Sequence, residues 1–199
     1  MAQPELLTPR LRLRPFVLAD ADRVQQLAGR REIAEGCVLI PHPYPPGLAA
    51  RWIESQAESW QTQQAVSYAI TVLATGLLLG SISLMLNEQR QADRSIVLTG
   101  SLGYWLAPEY WGQGLMSEAV AALLDFAFDE LGVDQIDAEH TPQNPASGRV
   151  MEKNGLVFVA ERLRDEPDHP PCLLRHYTLS WPQYRQWRNR PQTTFEPNR

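Results

Sequence analysis

Cysteine is scarce in this chain: 199 residues contain two, Cys37 and Cys172, far apart and in no C-x-x-C pair. That excludes a disulfide framework and argues against a zinc site, and reduced thiols fit a cytoplasmic protein. No segment approaches the run of about 20 apolar residues that a membrane span needs, and residues 1–7 lack a basic stretch followed by an apolar one. Neither a span nor a secretory signal is expected. Positive charge is also in deficit, with 18 Lys and Arg against 23 Asp and Glu and a formal net charge of -5. The chain therefore lacks the broad positive field that nucleic-acid binding uses, and a neutral or cationic partner is favoured. Internal repeats and low-complexity segments are missing too.

What is present is the composition of a folded enzyme-sized unit, 44% hydrophobic and 21% charged. The length suits one well-buried core and is short for two, so a single domain over residues 1–190 is expected, with residues 191–199 as a flexible tail. Residues 11–16 alternate apolar with basic side chains, a strand with one wet face whose arginines, joined by Arg10, form a candidate anion site beside the plainer reading of a solvated face. Residues 19–28 and 48–61 have helical spacing, separated by the proline-dense loop 37–47, which either lines a substrate mouth or simply connects. Residues 66–73 and 77–86 read as a hairpin, residues 87–94 as a polar loop, and residues 95–107 as a strand. A long helix follows over residues 115–131, then a strand at 134–141, a helix ending at Asn154-Gly155, two strands at 156–162 and 173–179, and a short terminal helix. The order is that of an α+β chain around a mixed sheet.

Two passages carry chemistry. In Trp111-Gly112-Gln113-Gly114-Leu115-Met116-Ser117-Glu118, two glycines open the most clearly periodic helix of the chain. A helix starting on glycine presents unpaired backbone N–H groups and its positive dipole end, which suits a phosphate or pyrophosphate. The turn also admits a packing reading, and Glu118 in the first turn reads first as a dipole partner. A three-glycine dinucleotide fingerprint after an early strand is absent, which argues against a Rossmann-type enzyme. In Asn144-Pro145-Ala146-Ser147, Asn is a good N-cap, Pro suits the first helical position, and Asn144 and Ser147 share a face.

The run Gly103-Tyr104-Trp105-Leu106, the glycine turn with Ser117-Glu118-Ala119, and the stretch from Asn144 to Leu156 together resemble the GNAT superfamily of N-acetyltransferases. The opening Leu6-Leu7-Thr8-Pro9-Arg10-Leu11-Arg12-Leu13-Arg14-Pro15 and the Asn-x-x-Ser helix resemble its Rim-type branch, whose named members acetylate ribosomal-protein N-termini. The resemblance spans residues 6–179. It implies the GNAT fold: a central mixed, twisted β-sheet with a splayed pair of strands, flanked by helices on both faces. It implies acetyl-CoA, or CoA, as cosubstrate, with the pantetheine arm along Trp105, Leu106 and Ala107. The pyrophosphate falls on Gly112, Gln113, Gly114, Leu115, Met116 and Ser117. Asn144 and Ser147 are implied both as cofactor contacts and as catalytic residues, Ser147 as general acid to the leaving thiolate. Relatives carry Arg or Gln where this chain has Glu109, and many place a tyrosine on the Asn144 helix where this chain has none.

The implied reaction is direct acetyl transfer to a primary amine, of a protein N-terminus or a small molecule, in a ternary complex. The general base is open among Glu35, Glu166 and His140, with Glu35 and Glu166 flanking the expected substrate mouth. The expected partners are acetyl-CoA and an amine acceptor, without nucleic acid, membrane or metal, and the chain acts as a monomer or homodimer. A non-catalytic acyl-CoA-binding or regulatory module of the same fold is the alternative.

Overall fold

The structure, a computed structural model, describes residues 2–37, 39–90, 95–165 and 171–190. The described strands form one eight-stranded sheet: β1 (Leu6–Leu7), β2 (Leu11–Arg14), β3 (Ala65–Val72), β4 (Leu78–Arg90), β5 (Ile96–Leu106), β6 (Gln135–His140), β7 (Val157–Arg164) and β8 (Cys172–Ser180), in spatial order β1-β2-β3-β4-β5-β6-β8-β7. All neighbours are antiparallel except β5 and β6, which run parallel. The helices are α1 (Ala21–Ala28), α2 (Arg31–Gly36), α3 (Leu48–Gln61), α4 (Leu115–Asp129), α5 (Pro145–Lys153) and α6 (Trp181–Arg188). The crossover from β5 through α4 to β6 is the βαβ unit that a parallel pair requires.

Strand alternation divides the core in two. Val66, Tyr68 and Ile70 of β3 join Ile82, Leu84, Leu102 and Leu106 in a large cluster with the Met116, Ala119, Val120, Leu123, Leu124 and Ala127 stripe of α4. Ala69, on the opposite face of β3, joins Leu78 with Val24, Leu27 and Ala28 of α1 and Ala49 and Ile53 of α3. Helices thus cover both faces. Ser67 and Ser81, both buried, also lie on the α1 and α3 side, so that face is floored by small polar residues.

Three elements depart from the sequence reading. Residues 87–90, read as loop, extend β4, where Asn87 pairs with Thr99 and Arg90 with Ile96. Their polarity reflects a projecting sheet end that is wet on both faces; backbone pairing suffices to keep it a strand. Helix α2 is too short to show periodicity and buries only Ile33. Strand β1, two residues at the sheet edge, gives no alternation to read. The tail at residues 191–199 and the Glu166 loop lie outside the described residues.

Candidate active site

Strands β5 and β6 pair only from Thr99 with Gln135 to Leu102 with Ala138, after which both continue without facing one another. Gly103 to Leu106 stay paired with β4, and Glu139 and His140 stay paired with β8. A wedge-shaped gap therefore opens between two well-supported strand ends. In an antiparallel strand the main-chain groups alternate in direction. Ala107 N–H donates to Leu79 O at 2.9 Å, toward β4, whereas Asp134 N–H donates to Leu98 O at 2.8 Å, toward β6. By that alternation Tyr104 and Leu106 turn their main-chain groups toward the gap, where the Leu106 carbonyl accepts from Trp111 Nε1 at 2.5 Å and the Leu106 N–H is the group left over, while Trp105 and Ala107 turn theirs to β4. Of the three strand residues expected to meet a pantetheine arm, Leu106 is the one whose backbone N–H is turned to the gap. Tyr104, absent from that expectation, is the second. The Trp105 side chain packs with the cluster under α1 and α3.

The glycine turn lies just beyond this strand. Gly112 and Gly114 both have φ of +74°, a left-handed conformation that side-chain-bearing residues rarely adopt. Gly114 is the N-cap of α4 and no side chain caps the helix; the Glu118 amide, bonded to Gly114 O at 3.1 Å, is the first to find a carbonyl within it. The amides of Leu115, Met116 and Ser117 are left for a ligand. A Cβ at Gly112 or at Gly103 would meet nothing within 4 Å, so the cradle is open where a cofactor would lie. These features fit the phosphates and arm of CoA.

Arg10 closes the other side of this turn. Its Nε donates to Glu118 Oε2 at 2.7 Å, its backbone N–H to Glu118 Oε1 at 2.9 Å, and its Nη1 to Gln113 O at 3.0 Å. Thr8 Oγ1 adds a bond to the same carboxylate at 2.6 Å. Burial alone would raise the Glu118 carboxyl; the bonds from Thr8 and Arg10 outweigh it and hold it below the ordinary range. The Nη2 end of Arg10 stands 3.7 Å from where a Gly114 Cβ would be, which puts a guanidinium at the anion cradle. Of the two sequence readings of these arginines, Arg10 fits the anion site, while Arg14 forms a two-point ion pair with Asp20, each bond 2.7 Å. Glu109, the residue at odds with the family pattern, is turned to Arg30 at 2.5 Å.

Helix α5 supplies the facing wall. Asn144 caps it, its Oδ1 accepting from Ser147 N–H at 3.3 Å, while its Nδ2 donates to Gly36 O at 3.2 Å. The next residue, Cys37, directs its thiol to Tyr104 O at 3.5 Å, so the end of α2 bridges α5 and β5. Burial pushes the Cys37 thiol up to about 11, far from a thiolate at neutral pH. The Ser147 hydroxyl lies 2.9 Å from the Tyr104 hydroxyl, which is also 3.1 Å from Ser147 O. A tyrosine therefore does reach this helix, from the strand opposite.

The candidate bases separate cleanly. Glu35 is paired with Arg31 at 2.8 Å, with its side chain 62% exposed on α2. His140 is buried beneath α5, with Nδ1 at 2.8 Å from Thr141 O and Nε2 without a protein partner. Glu166 is outside the described residues. The carboxylate on the strand that borders the gap is Glu139, which the sequence reading missed. Its Oε1 lies 3.2 Å from His176 Nδ1, and Asp137 Oδ1 lies 3.4 Å from His176 Nε2. Strand alternation was the available signal: Ala138 and His140 are buried, so Glu139 faces the side of the sheet away from α5.

Comparison with known proteins defines the class. The sequence profile of the Acetyltransferase (GNAT) domain family matches residues 10–157. An uncharacterized N-acetyltransferase of Bacillus licheniformis, p20, is 30% identical over 176 residues, 88% of this chain and 94% of that protein. Among solved structures, the microcin C7 self-immunity acetyltransferase MccE, in complex with acetyl-CoA and AMP, superposes with a TM-score of 0.74 at 15% identity, covering 87% of this chain and 93% of that one. A ribosomal-protein-S5-alanine acetyltransferase from Vibrio fischeri does so with a TM-score of 0.74 at 19% identity, covering 89% and 97%. This chain belongs to the GNAT superfamily of acetyltransferases, enzymes that use acetyl-CoA. Its neighbours there include ribosomal-protein acetyltransferases, the branch its opening motif and Asn-x-x-Ser helix resemble.

Proposed function

We propose that this chain is an N-acetyltransferase that passes the acetyl group of acetyl-CoA directly to a primary amine, of a protein N-terminus or a small molecule. One observation carries the reading: β5 and β6 part beyond Leu102 and Ala138, with the Ser147 hydroxyl bonded to Tyr104 of β5 on one face of the sheet, the Glu139 carboxylate of β6 on the other, and the Gly114 turn following directly on β5. Acetyl-CoA supplies a thioester carbonyl open to attack by an uncharged amine. Residues of this chain supply the rest. The amides of Leu115, Met116 and Ser117, with the Arg10 guanidinium, hold the phosphates. The Tyr104 and Leu106 backbone aligns the arm, and a strand-end N–H there stabilises charge on the carbonyl oxygen. Glu139 takes the proton of an incoming ammonium, directly or through one water, and Ser147 donates a hydrogen bond to the departing sulfur. A covalent enzyme intermediate is not needed, in keeping with a Cys37 thiol that burial keeps protonated.

The test is release of free CoA from labelled acetyl-CoA with a panel of peptides bearing free N-termini, polyamines and aminoglycosides, with product masses read in parallel. Turnover with acetylation at a primary amine is expected. Tight CoA binding with no release on any amine would overturn the proposal in favour of a binding module.

A further inference from the structure

The helix that carries Ser147 has no tyrosine, yet the tyrosine of β5 comes within hydrogen-bond distance of the serine hydroxyl. We infer that Tyr104 is a positioning residue for Ser147: its phenol O–H donates to Ser147 Oγ and so directs the serine's own proton into the gap. The inference rests on the reading of Ser147 as the group that meets the leaving sulfur.

A hydroxyl has one proton and two acceptor sites, so the 2.9 Å contact between the two oxygens allows two arrangements. In one, Ser147 donates to the phenol, its proton points away from the reacting centre, and the phenol donates to Ser147 O at 3.1 Å. In the other, the phenol donates to Oγ. The carbonyl of Ser147 lies in the first turn of α5 and has the helical partner four residues on, so it has less need of the phenol than Oγ does. The shorter contact is also the one to Oγ. In the second arrangement the serine proton is free to meet the sulfur, and the phenol O–H, by donating to Oγ, polarises the serine O–H toward it.

Tyr104 does not serve as the proton source itself. Burial pushes its phenol well above the ordinary tyrosine range, and only the bond with Ser147 works against that. Surrender of the proton would leave a buried phenolate. Its role is therefore exerted through the serine, and the proton ledger is simple: as the amine nitrogen bonds the carbonyl carbon and gives its proton to Glu139, the electron pair of the breaking C–S bond stays on sulfur, which leaves as a thiolate hydrogen-bonded to the Ser147 O–H, and the Ser147 and Tyr104 protons remain on their oxygens. The side chain that places the phenol is fixed by β5, which stays paired with β4 through Leu106. The seryl wall is fixed independently by the Asn144 cap.

A double-mutant cycle decides this. Tyr104→Phe removes one oxygen from a largely buried ring; it is expected to fold, with a melting temperature lowered by a few degrees at most and a CoA affinity by calorimetry that matches the parent's. Its kcat, in the acetyl-transfer assay, should fall about tenfold, the effect of one lost hydrogen bond to a polar partner. Ser147→Ala should also lower kcat, and Tyr104→Phe added to Ser147→Ala should cause no further loss. Tyr104→Phe with parental kcat would overturn the inference, and so would an equal fractional loss in both backgrounds, which is what a packing role produces. Ser147→Ala with parental kcat would remove the role of Ser147 itself and this inference with it. Ser147→Ala impaired with Tyr104→Phe unimpaired removes only the inference.

Discussion

At the scale of single residues, the cofactor site depends on atoms that are missing. Gly114 combines a left-handed backbone with a position at the mouth of α4, so any side chain there would crowd the proposed anion cradle. Aspartate accepts the left-handed region better than most residues. Gly114→Asp should therefore fold, and should weaken CoA binding at least about tenfold, or ~1.4 kcal/mol, because a carboxylate faces the phosphates. Calorimetry with CoA checks this, and unchanged affinity in a folded variant would remove the site. The turn at this residue was legible in the sequence, since two glycines just before a helical run mark a left-handed backbone that other residues rarely adopt. Glu139 was not, because a carboxylate one place before a histidine on a strand draws no notice until burial shows that the two face opposite ways. Arg10 was legible only as one of two possibilities. Its bonds to Glu118 and Gln113, more than a hundred positions away, place it at the glycine turn and favour the anion-site reading.

At the scale of elements, helix α5 is held close to β6 and β8 by a glycine. A Cβ on Gly148 would lie 2.6 Å from His140 Nε2 and 3.2 Å from the Tyr177 hydroxyl. The His140 ring is buried and bonded to Thr141 O, so it has little room to yield. Alanine in place of glycine favours a helix by about 1 kcal/mol, but overpacking of this kind costs about 1–3 kcal/mol. The second effect should win. Gly148→Ala is expected to lower the melting temperature and, by lifting α5, to reduce acetyl transfer by displacing the adjacent Ser147. A variant as stable and active as the parent would mean that the ring moves aside. Most helices and strands were readable from periodicity and caps, α3 to its limits at Leu48 and Gln61. Those that were not, β1, α2 and the far end of β4, are too short or too polar to bear a pattern, and only pairing or packing with distant chain defines them.

At the scale of the whole molecule, carboxylates tie the N-terminal edge of the sheet to the rest. Glu118 binds the β1–β2 connection to α4, and Asp20 binds β2 to the start of α1. Burial raises the Asp20 carboxyl, but the Arg14 bonds and the Val17 N–H outweigh it, so it too lies below the ordinary range. A carboxyl lowered on folding adds stability that is complete above its unfolded value, about 4, and is lost as pH falls through the lower folded value. Acid unfolding should thus be steep below about pH 4. Glu118→Gln should flatten that limb while lowering stability at neutral pH. Circular dichroism across an acid titration of both proteins checks this, and parallel limbs would count against the tie. The mixed sheet and helical layers were legible in the order of elements, whereas the two-strand gap rests on where β5 and β6 cease to pair, which no local pattern records.

The Arg10 clasp has a practical side. The turn proposed to hold the phosphates is completed by a side chain from the β1–β2 connection, more than a hundred positions earlier in the chain. A peptide spliced into that connection would hang from the proposed cradle, and Arg10→Ala would lose the clasp. Protein meant for measuring CoA affinity is better prepared with this connection left unaltered.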